Sequence, residues 1–247
     1  MVRRFAFFPV ILRQKHIAMR YLIYIGFYLL FSSLQAQSFY FGPKVGPALG
    51  FQKWNQNDND PLFALNGDIF IESAPLESTN VFYGSLGYRT RGSSWRFGSS
   101  NPLQLNATNF RFKNVVLELG AKKMLSSSSE GSPYYFLGIR GEYTVGTNLG
   151  DYEKFGAYFP NKAFVKNFVY GVSFGGGYEF GFRQYTRFFV EIGIHPDVSQ
   201  QYYRPTLFNV PDPFFPGQSV TLQEQIVRNL SLELKFAMKF LRKVEYY

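Results

Sequence analysis

Only one short stretch of the sequence combines residue types that could support catalysis. His195 lies in Ile194-His195-Pro196-Asp197, and it is the only histidine outside the first 36 residues. A histidine beside a serine can act as a general base toward the hydroxyl, but the spacing identifies no serine partner. Alternation along this segment puts His195 on the same face as Glu191, which predicts a hydrogen-bonded interior histidine. We therefore expect no catalytic residue and no enzyme, with a lipid A-modifying serine–histidine enzyme as the alternative.

The sequence predicts no metal or cofactor site. One histidine with scattered carboxylates lacks the ligand spacing of a metal centre. Gly175-Gly176-Gly177 has no following Lys-Ser/Thr pair and no following helix, so it indicates packing relief or a bend within a strand rather than a phosphate loop. The absence of cysteine excludes a lipoprotein anchor, a disulfide framework and thiolate ligands.

Charged residues instead alternate with apolar residues in a period of two. In residues 229–240 every even position is apolar, and Glu233, Lys235 and Lys239 occupy odd positions. A strand with this pattern has one apolar face and one polar face. The pattern recurs in about eight segments, which predicts that the apolar faces meet lipid and the polar faces line the inside of a closed barrel.

The predicted inward set carries nearly balanced charge. The interior of an eight-stranded barrel is just wide enough to be filled by side chains, so we expect these charges to pair with one another. A conducting or substrate-binding polar channel is the alternative. The predicted charge network of the lumen comprises Lys44, Asp68, Arg89, Glu118, Arg140, Glu142, Glu179, Glu191, Glu233 and Lys235, with Glu72 and Lys122 on the same faces.

Residues 1–36 have the properties of a secretion signal. They contain five basic residues and no acid, followed by an apolar run over residues 21–31 that is shorter than the roughly 20 residues of a transmembrane helix. We expect cleavage after Ala36, with Met19 as a possible true start. Removal of these five charges lowers the formal net charge from +9 to +4, so basicity gives no reason to expect a nucleic-acid partner.

Residues 37–247 then form the expected domain, an all-β, eight-stranded antiparallel up-and-down transmembrane barrel. The predicted strands are 38–51, 61–73, 80–91, 109–124, 134–147, 167–182, 186–199 and 226–240. Their connections alternate between longer and shorter, as in outer-membrane barrels with long extracellular loops and short periplasmic turns. Both termini are then expected on the periplasmic side of the outer membrane.

Aromatic residues near the strand ends are expected to form two girdles at the membrane interfaces. The predicted fourth strand breaks its alternation, because Phe110 and Phe112 have the parity opposite to the apolar positions from Val115 onward; a bulge near Asn114 would reconcile them. The predicted girdles are Phe39, Phe41, Tyr134, Tyr135, Phe182, Tyr185 and Phe240 at one end, and Phe51, Trp54, Tyr88, Phe110, Phe112 and Phe168 at the other.

The long loops carry the predicted partner-binding surface. Residues 200–225 contain four prolines and several aromatic residues, and residues 148–166 add aromatic residues with Lys154, Lys162 and Lys166. Aromatic and arginine clusters anchor protein interfaces, and lysines suit a phosphorylated glycolipid such as lipopolysaccharide. Packing of the loops on each other as a lid is the alternative. The candidate partner-binding residues are Trp95, Arg96, Tyr158, Phe159, Tyr202, Tyr203, Phe208, Phe214 and Phe215.

Three motifs resemble the PorT-like outer-membrane β-barrels of Bacteroidota. They are the signal ending at residues 34–37, the opening strand with Gly42, Lys44 and Gly46, and the segment Gly177-Tyr178-Glu179-Phe180. Pro43 and Pro47 depart from an ideal opening strand. The resemblance implies a barrel without enzymatic activity and, for some members, participation in type IX protein secretion.

Together these patterns predict a non-enzymatic outer-membrane barrel that serves as a structural or partner-binding component of a secretion or surface-assembly machine. Its expected partners are outer-membrane lipid, lipopolysaccharide and other outer-membrane proteins. Besides the lipid A enzyme, a soluble lipocalin-like barrel that binds an apolar ligand is the second alternative.

Overall fold

A computed structural model describes residues 38–52, 54, 59–74, 79–96, 107–125, 131–183, 185–212 and 215–243. The predicted signal peptide, residues 1–36, lies outside the described residues, as does Phe214 among the candidate partner-binding residues. Residues 39–242 form one compact unit.

Eight long strands close into an antiparallel barrel, and the predicted fold class is confirmed. Each strand pairs with its neighbours in the chain, and the last strand pairs with the first. The strands are β1 Phe39–Gln52, β2 Asn59–Ser73, β3 Asn80–Arg96, β4 Ala107–Met124, β5 Gly131–Thr147, β6 Phe168–Arg183, β7 Thr186–Pro196 and β12 Asn229–Arg242.

The segment between β7 and β12 contains more secondary structure than the loop that was predicted there. It holds four short strands: β8 Tyr202–Arg204, β9 Leu207–Pro211, β10 Ser219–Leu222 and β11 Gln225–Val227. β8 pairs with β11 and β9 pairs with β10, so the β7–β12 hairpin continues beyond the barrel as a ribbon. Strands this short contain too few positions for a period of two to predict them.

The connections divide the barrel into two ends. Residues 53–58, 97–106, 148–167 and 197–228 connect strands at one end, here called the loop end. Residues 74–79, 125–130 and 184–185 connect strands at the other, the turn end, where Phe39 and Arg242 also lie. The predicted asymmetry holds for three of the four loops, but residues 53–58 are no longer than the turns because β2 starts earlier than predicted.

Two 3-10 helical segments, Leu149–Tyr158 and Lys162–Phe164, lie in the connection between β5 and β6. No helix within the described ranges is long and apolar enough to cross a bilayer.

The two faces of the wall have opposite polarity. Outward side chains are apolar and exposed; Phe82 is 70%, Ile139 67% and Leu137 64% exposed. Inward side chains on the same strands, such as Arg140 and Glu118, are buried. This arrangement is the inverse of a water-soluble barrel, and it follows from alternation because a strand that sends its apolar side chains outward sends its ionic ones inward.

The bulge predicted near Asn114 belongs to the partner strand. The register shifts between Lys113, which pairs with Gly146, and Asn114, which pairs with Thr144, so Val145 of β5 is the extra residue. β4 itself keeps its alternation. Phe110 and Phe112 are therefore fully buried inside the barrel, and their assignment to an outer girdle was wrong.

Two other predicted girdle residues also point inward. Trp54 is 1% exposed and Tyr134 is 3% exposed. The parity of Tyr134 matches the inward residues of β5, and Trp54 follows the inward Gln52 by two positions. By contrast, exposed positions are occupied by Phe41, Phe51, Tyr88, Tyr135, Phe168 and Tyr185.

Candidate functional sites in the lumen and at the loop end

The structure places every member of the predicted charge network inside the barrel, with at most 6% of any of them exposed. Two of these residues, Arg89 and Asp68, form the centre of the network. The Arg89 Nε lies 2.9 Å from Asp68 Oδ1, and its Nη2 lies 2.8 Å from Glu118 Oε2. Asp68 Oδ2 also accepts from Lys235 Nζ at 2.5 Å. β2, β3, β4 and β12 thus meet through their side chains across the bore.

A second group of ion pairs lies nearer the loop end. Glu142 accepts from Arg91 Nη2 at 2.8 Å, from Arg140 Nε at 2.7 Å and from Asn114 Nδ2 at 2.7 Å. Arg91 Nη1 also pairs with Glu233 Oε1 at 2.6 Å. Glu142 is therefore the shared acceptor of two buried guanidinium groups, each of which also has a second carboxylate partner, Glu233 for Arg91 and Asp197 for Arg140.

The third group lies toward the turn end. Glu72 pairs with Lys122 at 2.9 Å and also with Lys239, which in turn lies 2.6 Å from Glu179 Oε2. Lys44 lies 3.6 Å from Glu191. Through these pairs, acids and bases from β1, β2, β4, β6, β7 and β12 lie close together at this end of the lumen.

Sequence reasoning left several members out of the network. Arg91, Asp197 and Lys239 are buried and ion-paired. Arg91 shares the parity of Arg89, and Lys239 shares that of Lys235. Alternation alone therefore predicts that both side chains point into the barrel. Asp197 shares the parity of Glu191 and His195 within the predicted strand 186–199, so alternation placed it inward as well, although alternation does not reveal its pairing with Arg140.

Aromatic side chains surround the ion pairs in the turn half of the barrel. Phe70, Tyr83, Tyr134, Phe136 and Phe189 form a buried cluster there. The Tyr83 hydroxyl donates to Glu118 at 2.9 Å, and the Tyr134 hydroxyl donates to Glu191 at 3.0 Å. The Lys122 ammonium lies 4.3 Å from the centre of the Phe189 ring, which is a cation–π distance.

These contacts fill the bore. A water-filled channel would leave its lining side chains exposed, whereas Arg89 and Glu142 have none of their surface exposed. Charges out of water are tolerated only when they are paired and hydrogen-bonded. The arrangement can therefore hold the wall together and block passage, and the described part of the lumen is lined largely by paired ionic side chains, unlike the apolar cavity of a lipocalin.

An aromatic cluster closes the lumen at the loop end, and we call it the loop-end plug. The Trp54 ring lies 5.1 Å from Phe110 and 5.2 Å from Tyr202, and its Nε1 donates to Gln52 Oε1 and Ser93 Oγ, each at 3.0 Å. The plug consists of Trp54, Phe110, Phe112, Leu149, Tyr202 and Val227, with Tyr152, Phe164 and Val165 packed against it.

Tyr202 was predicted to bind a partner, and the structure contradicts this. Its side chain is fully buried in the loop-end plug, and its hydroxyl accepts from the Asn161 backbone N–H at 3.3 Å. Burial also raises the pKa of the Tyr202 hydroxyl. An aromatic residue in a loop covers whatever apolar surface lies beneath it, and here that surface is the open end of the barrel.

The other candidate partner-binding residues differ in exposure. Phe208 on β9 is 72% exposed and Phe215 is 60% exposed. Tyr158 and Phe159 are half-buried, and the Tyr158 hydroxyl donates to the Pro211 carbonyl at 3.3 Å. Tyr203 is half-buried beside Lys166, whose ammonium lies 5.7 Å from its ring centre. Trp95 and Arg96 lie in β3, but their side chains, like Phe214, are outside what the structure describes.

His195 contacts a serine that the sequence did not identify. Its Nδ1 lies 2.9 Å from Ser173 Oγ on β6, and its Nε2 lies 3.6 Å from Glu233 Oε2. The Ser173 side chain is fully buried and His195 is 3% exposed. Within the described ranges, no three His, Cys, Asp or Glu side chains cluster as metal ligands.

The barrel is similar to several solved structures at low sequence identity. Neisserial surface protein A matches at 11% identity and a TM-score of 0.45, covering 82% of this chain and 96% of that one. The outer membrane protein OprG from Pseudomonas aeruginosa matches at 10% identity and 0.49, covering 83% and 96%. Ail, the attachment invasion locus protein of Yersinia pestis, matches at 12% identity and 0.39, covering 82% and 99%.

No family model matches the sequence, and no curated protein matches it either. The fold assignment rests on the strand pairing of this chain.

Proposed function

We propose that this protein is a non-enzymatic β-barrel of a bacterial outer membrane that acts as a structural or partner-binding component. One observation carries the proposal: the barrel exposes its apolar side chains and encloses its ionic ones. In hydrocarbon every backbone polar group must be satisfied internally, and a closed barrel with an apolar exterior meets that condition. In water the same exterior would be an aggregating surface.

Fractionation tests the membrane location. We expect the protein in the outer-membrane fraction, extractable only with detergent, with slower electrophoretic migration after boiling than before. Planar bilayers containing the purified barrel should show no steady conductance, because the lumen is filled. Recovery in the soluble fraction without detergent would contradict the proposal and favour the lipocalin-like alternative, while stable channels would contradict the filled lumen.

The partner-binding part of the proposal rests on the β9–β10 ribbon. It stands beyond the barrel, and each of its strands pairs only with the other in the described part of the chain. Exposed backbone edges accept a further strand, and exposed aromatic side chains such as Phe208 and Phe215 anchor interfaces. The partner we propose is another outer-membrane protein, as in the secretion role that the PorT-like resemblance implies.

Affinity purification in mild detergent tests this surface. We expect the double variant Phe208→Ala/Phe215→Ala to recover at least five-fold less partner than the unaltered protein. Phe82→Ala is the matched control, because Phe82 is exposed to a similar extent, 70% against 72% for Phe208, but on the barrel wall. Equal recovery by the double variant and the unaltered protein would exclude the ribbon as the binding surface.

A second candidate function, a lipid A-modifying enzyme, is favoured by one observation, the 2.9 Å approach of His195 to Ser173. The burial of both residues opposes it. The non-enzymatic barrel and the lipid A-modifying enzyme can be distinguished by mass spectrometry of lipid A. The samples come from a deletion strain complemented with the unaltered protein or with His195→Ala. We expect identical lipid A in all strains; a change that the unaltered protein restores and His195→Ala does not would establish the enzyme.

A further inference from the structure

The outer surface of the barrel changes from apolar to basic at the loop ends of β4 and β5. On the outward face of β4, Val115, Leu117 and Leu119 are exposed. The next outward residues toward the loop end are Lys113 and Arg111, and both are exposed. Toward the turn end, the first charged residue on this face is Lys123. The apolar stretch of β4 is thus bounded by a basic residue at each side.

The spacing of these residues matches the height of the apolar band on an outer-membrane barrel. Lys113 and Lys123 are ten positions apart (123 − 113). At a rise of about 3.3 Å per residue and a strand tilt of about 40°, this spans roughly 25 Å along the membrane normal, the height of the apolar band of such barrels. Lys113 and Arg111 therefore lie at the level of the lipid head groups.

A cleft lies at this level. It has a volume of about 520 Å³ and is lined by Thr108, Asn109, Arg111, Lys113, Gly146, Thr147, Asn148 and Tyr152. A neighbouring cleft of about 220 Å³ shares Gly146 and Thr147 and adds Lys162. The bulged Val145 lines the second cleft, and the Lys113 side chain lies beside Gly146, where a Cβ would be 3.9 Å from Lys113 Cδ.

Among the residues that the structure describes, the basic side chains around these clefts differ from those of the lumen in lacking carboxylate partners. Within the described ranges, none of Arg111, Lys113 and Lys162 forms an ion pair. Lys166 adds a fourth exposed base, while Asp151 and Glu153 are the exposed acids on the adjoining 3-10 segment. The cluster keeps an excess of positive charge.

We propose that these clefts bind the phosphates of a phosphorylated glycolipid, such as lipid A, in the outer leaflet. Arg111 offers a planar fork of donors to phosphate oxygens, and Lys113 and Lys162 supply point charges on either side. The acyl chains of the lipid then lie along Tyr143, Val145 and Phe168, which are exposed just below. This inference rests on the proposed outer-membrane location with the loop end outward.

Binding of defined lipids to the purified barrel in detergent micelles tests the proposal. The probes are bis-phosphorylated lipid A, the same lipid A after chemical dephosphorylation, and phosphatidylglycerol, each measured by native mass spectrometry. We expect at least ten-fold tighter binding of the phosphorylated lipid A than of the other two. The double variant Arg111→Gln/Lys113→Gln should lose at least ten-fold of that affinity, and adding Lys162→Gln should lower it further.

Lys123→Gln is the control, because it makes the same substitution as Lys113→Gln on the same face of β4 but at the turn end, and it should bind like the unaltered protein. Equal binding of phosphorylated and dephosphorylated lipid A would overturn the proposal, as would equal binding of phosphatidylglycerol or an unaffected double variant. The micelle assay does not depend on cellular location. If the barrel fractionates with the outer membrane but binds all three lipids with equal affinity, only this inference is overturned. A barrel found in the soluble fraction overturns the proposed function.

Discussion

Two regions of the lumen fill the same bore with opposite chemistry. In the middle, Arg89, Arg91 and Glu142 are enclosed as paired ions, whereas at the loop end Trp54 and Tyr202 close the opening with aromatic surface. The ionic side chains belong to barrel strands, and backbone hydrogen bonds between the strands fix their register. The plug draws much of its surface from connecting segments. Buried ion pairs therefore require the fixed geometry of the barrel strands, whereas apolar packing at the loop end can be formed by connecting segments.

The energetic consequences of the two chemistries also differ. Removing one partner of a buried pair leaves an uncompensated charge and costs about 3–5 kcal/mol. Removing a buried aromatic side chain also costs about 3–5 kcal/mol, but the cost falls where the surroundings can collapse into the space. Loops can collapse more easily than a closed ladder, so we expect the middle of the lumen to be the less tolerant region.

The largest effect is expected from Glu142→Leu. It removes one buried negative charge that two guanidinium groups share and leaves Arg91 with Glu233 and Arg140 with Asp197 as their remaining carboxylate partners. The free energy of unfolding should therefore fall by about 4 kcal/mol. Urea titration of the barrel in lipid vesicles, followed by circular dichroism, measures it. Glu153→Leu makes the same chemical change at an exposed loop position and should be nearly neutral. A loss below about 1 kcal/mol for Glu142→Leu would mean that water reaches this layer.

A smaller effect is expected from Trp54→Ala. We expect a loss of about 3 kcal/mol from the same titration, together with faster proteolysis of the connection 148–167, whose Leu149 packs in the plug. Phe208→Ala, on the exposed ribbon, controls for loss of a large aromatic side chain and should change neither readout. If Trp54→Ala destabilises the barrel as much as Glu142→Leu does, the loops are as rigid as the wall and the comparison fails.

The smallest effect is expected from salt. Raising the ionic strength to about 1 M shortens the screening length to about 3 Å, which weakens exposed charges but leaves buried pairs largely unaffected. The free energy of unfolding of the unaltered barrel should therefore change by less than about 0.5 kcal/mol. Strong destabilisation by potassium chloride, with sodium sulfate as a comparison salt, would show that the lumen pairs are in contact with solvent.

Much of the barrel was predictable from local pattern. The eight long strands were all predicted, because alternation persists over a dozen or more residues in most of them and leaves little ambiguity in type. The same alternation predicted which charges face inward. Alternation also places Arg91 and Lys239 on the inward face, because they share the parity of network residues, although the predicted network did not include them.

Alternation assigns a side chain to one face of a strand, but it does not identify the side chains that it meets on neighbouring strands. Ser173 faces His195 only because β6 and β7 pair in one particular register, which includes a shift between Gly181 and Arg183. The bulge at Val145 belongs to β5, although the break in the apolar alternation of the sequence lies on β4. A register is a relation between two strands, so neither strand specifies it alone.

The sequence by itself determined the closed all-β wall, its apolar outside and its ionic inside, because a period of two assigns each side chain to a face without reference to any other part of the chain. Only the tertiary structure decided which ions pair and which aromatic residues seal the loop end. Those contacts join residues far apart in sequence, such as Trp54 and Tyr202 or Arg91 and Glu233, and closure of the barrel is what brings them together.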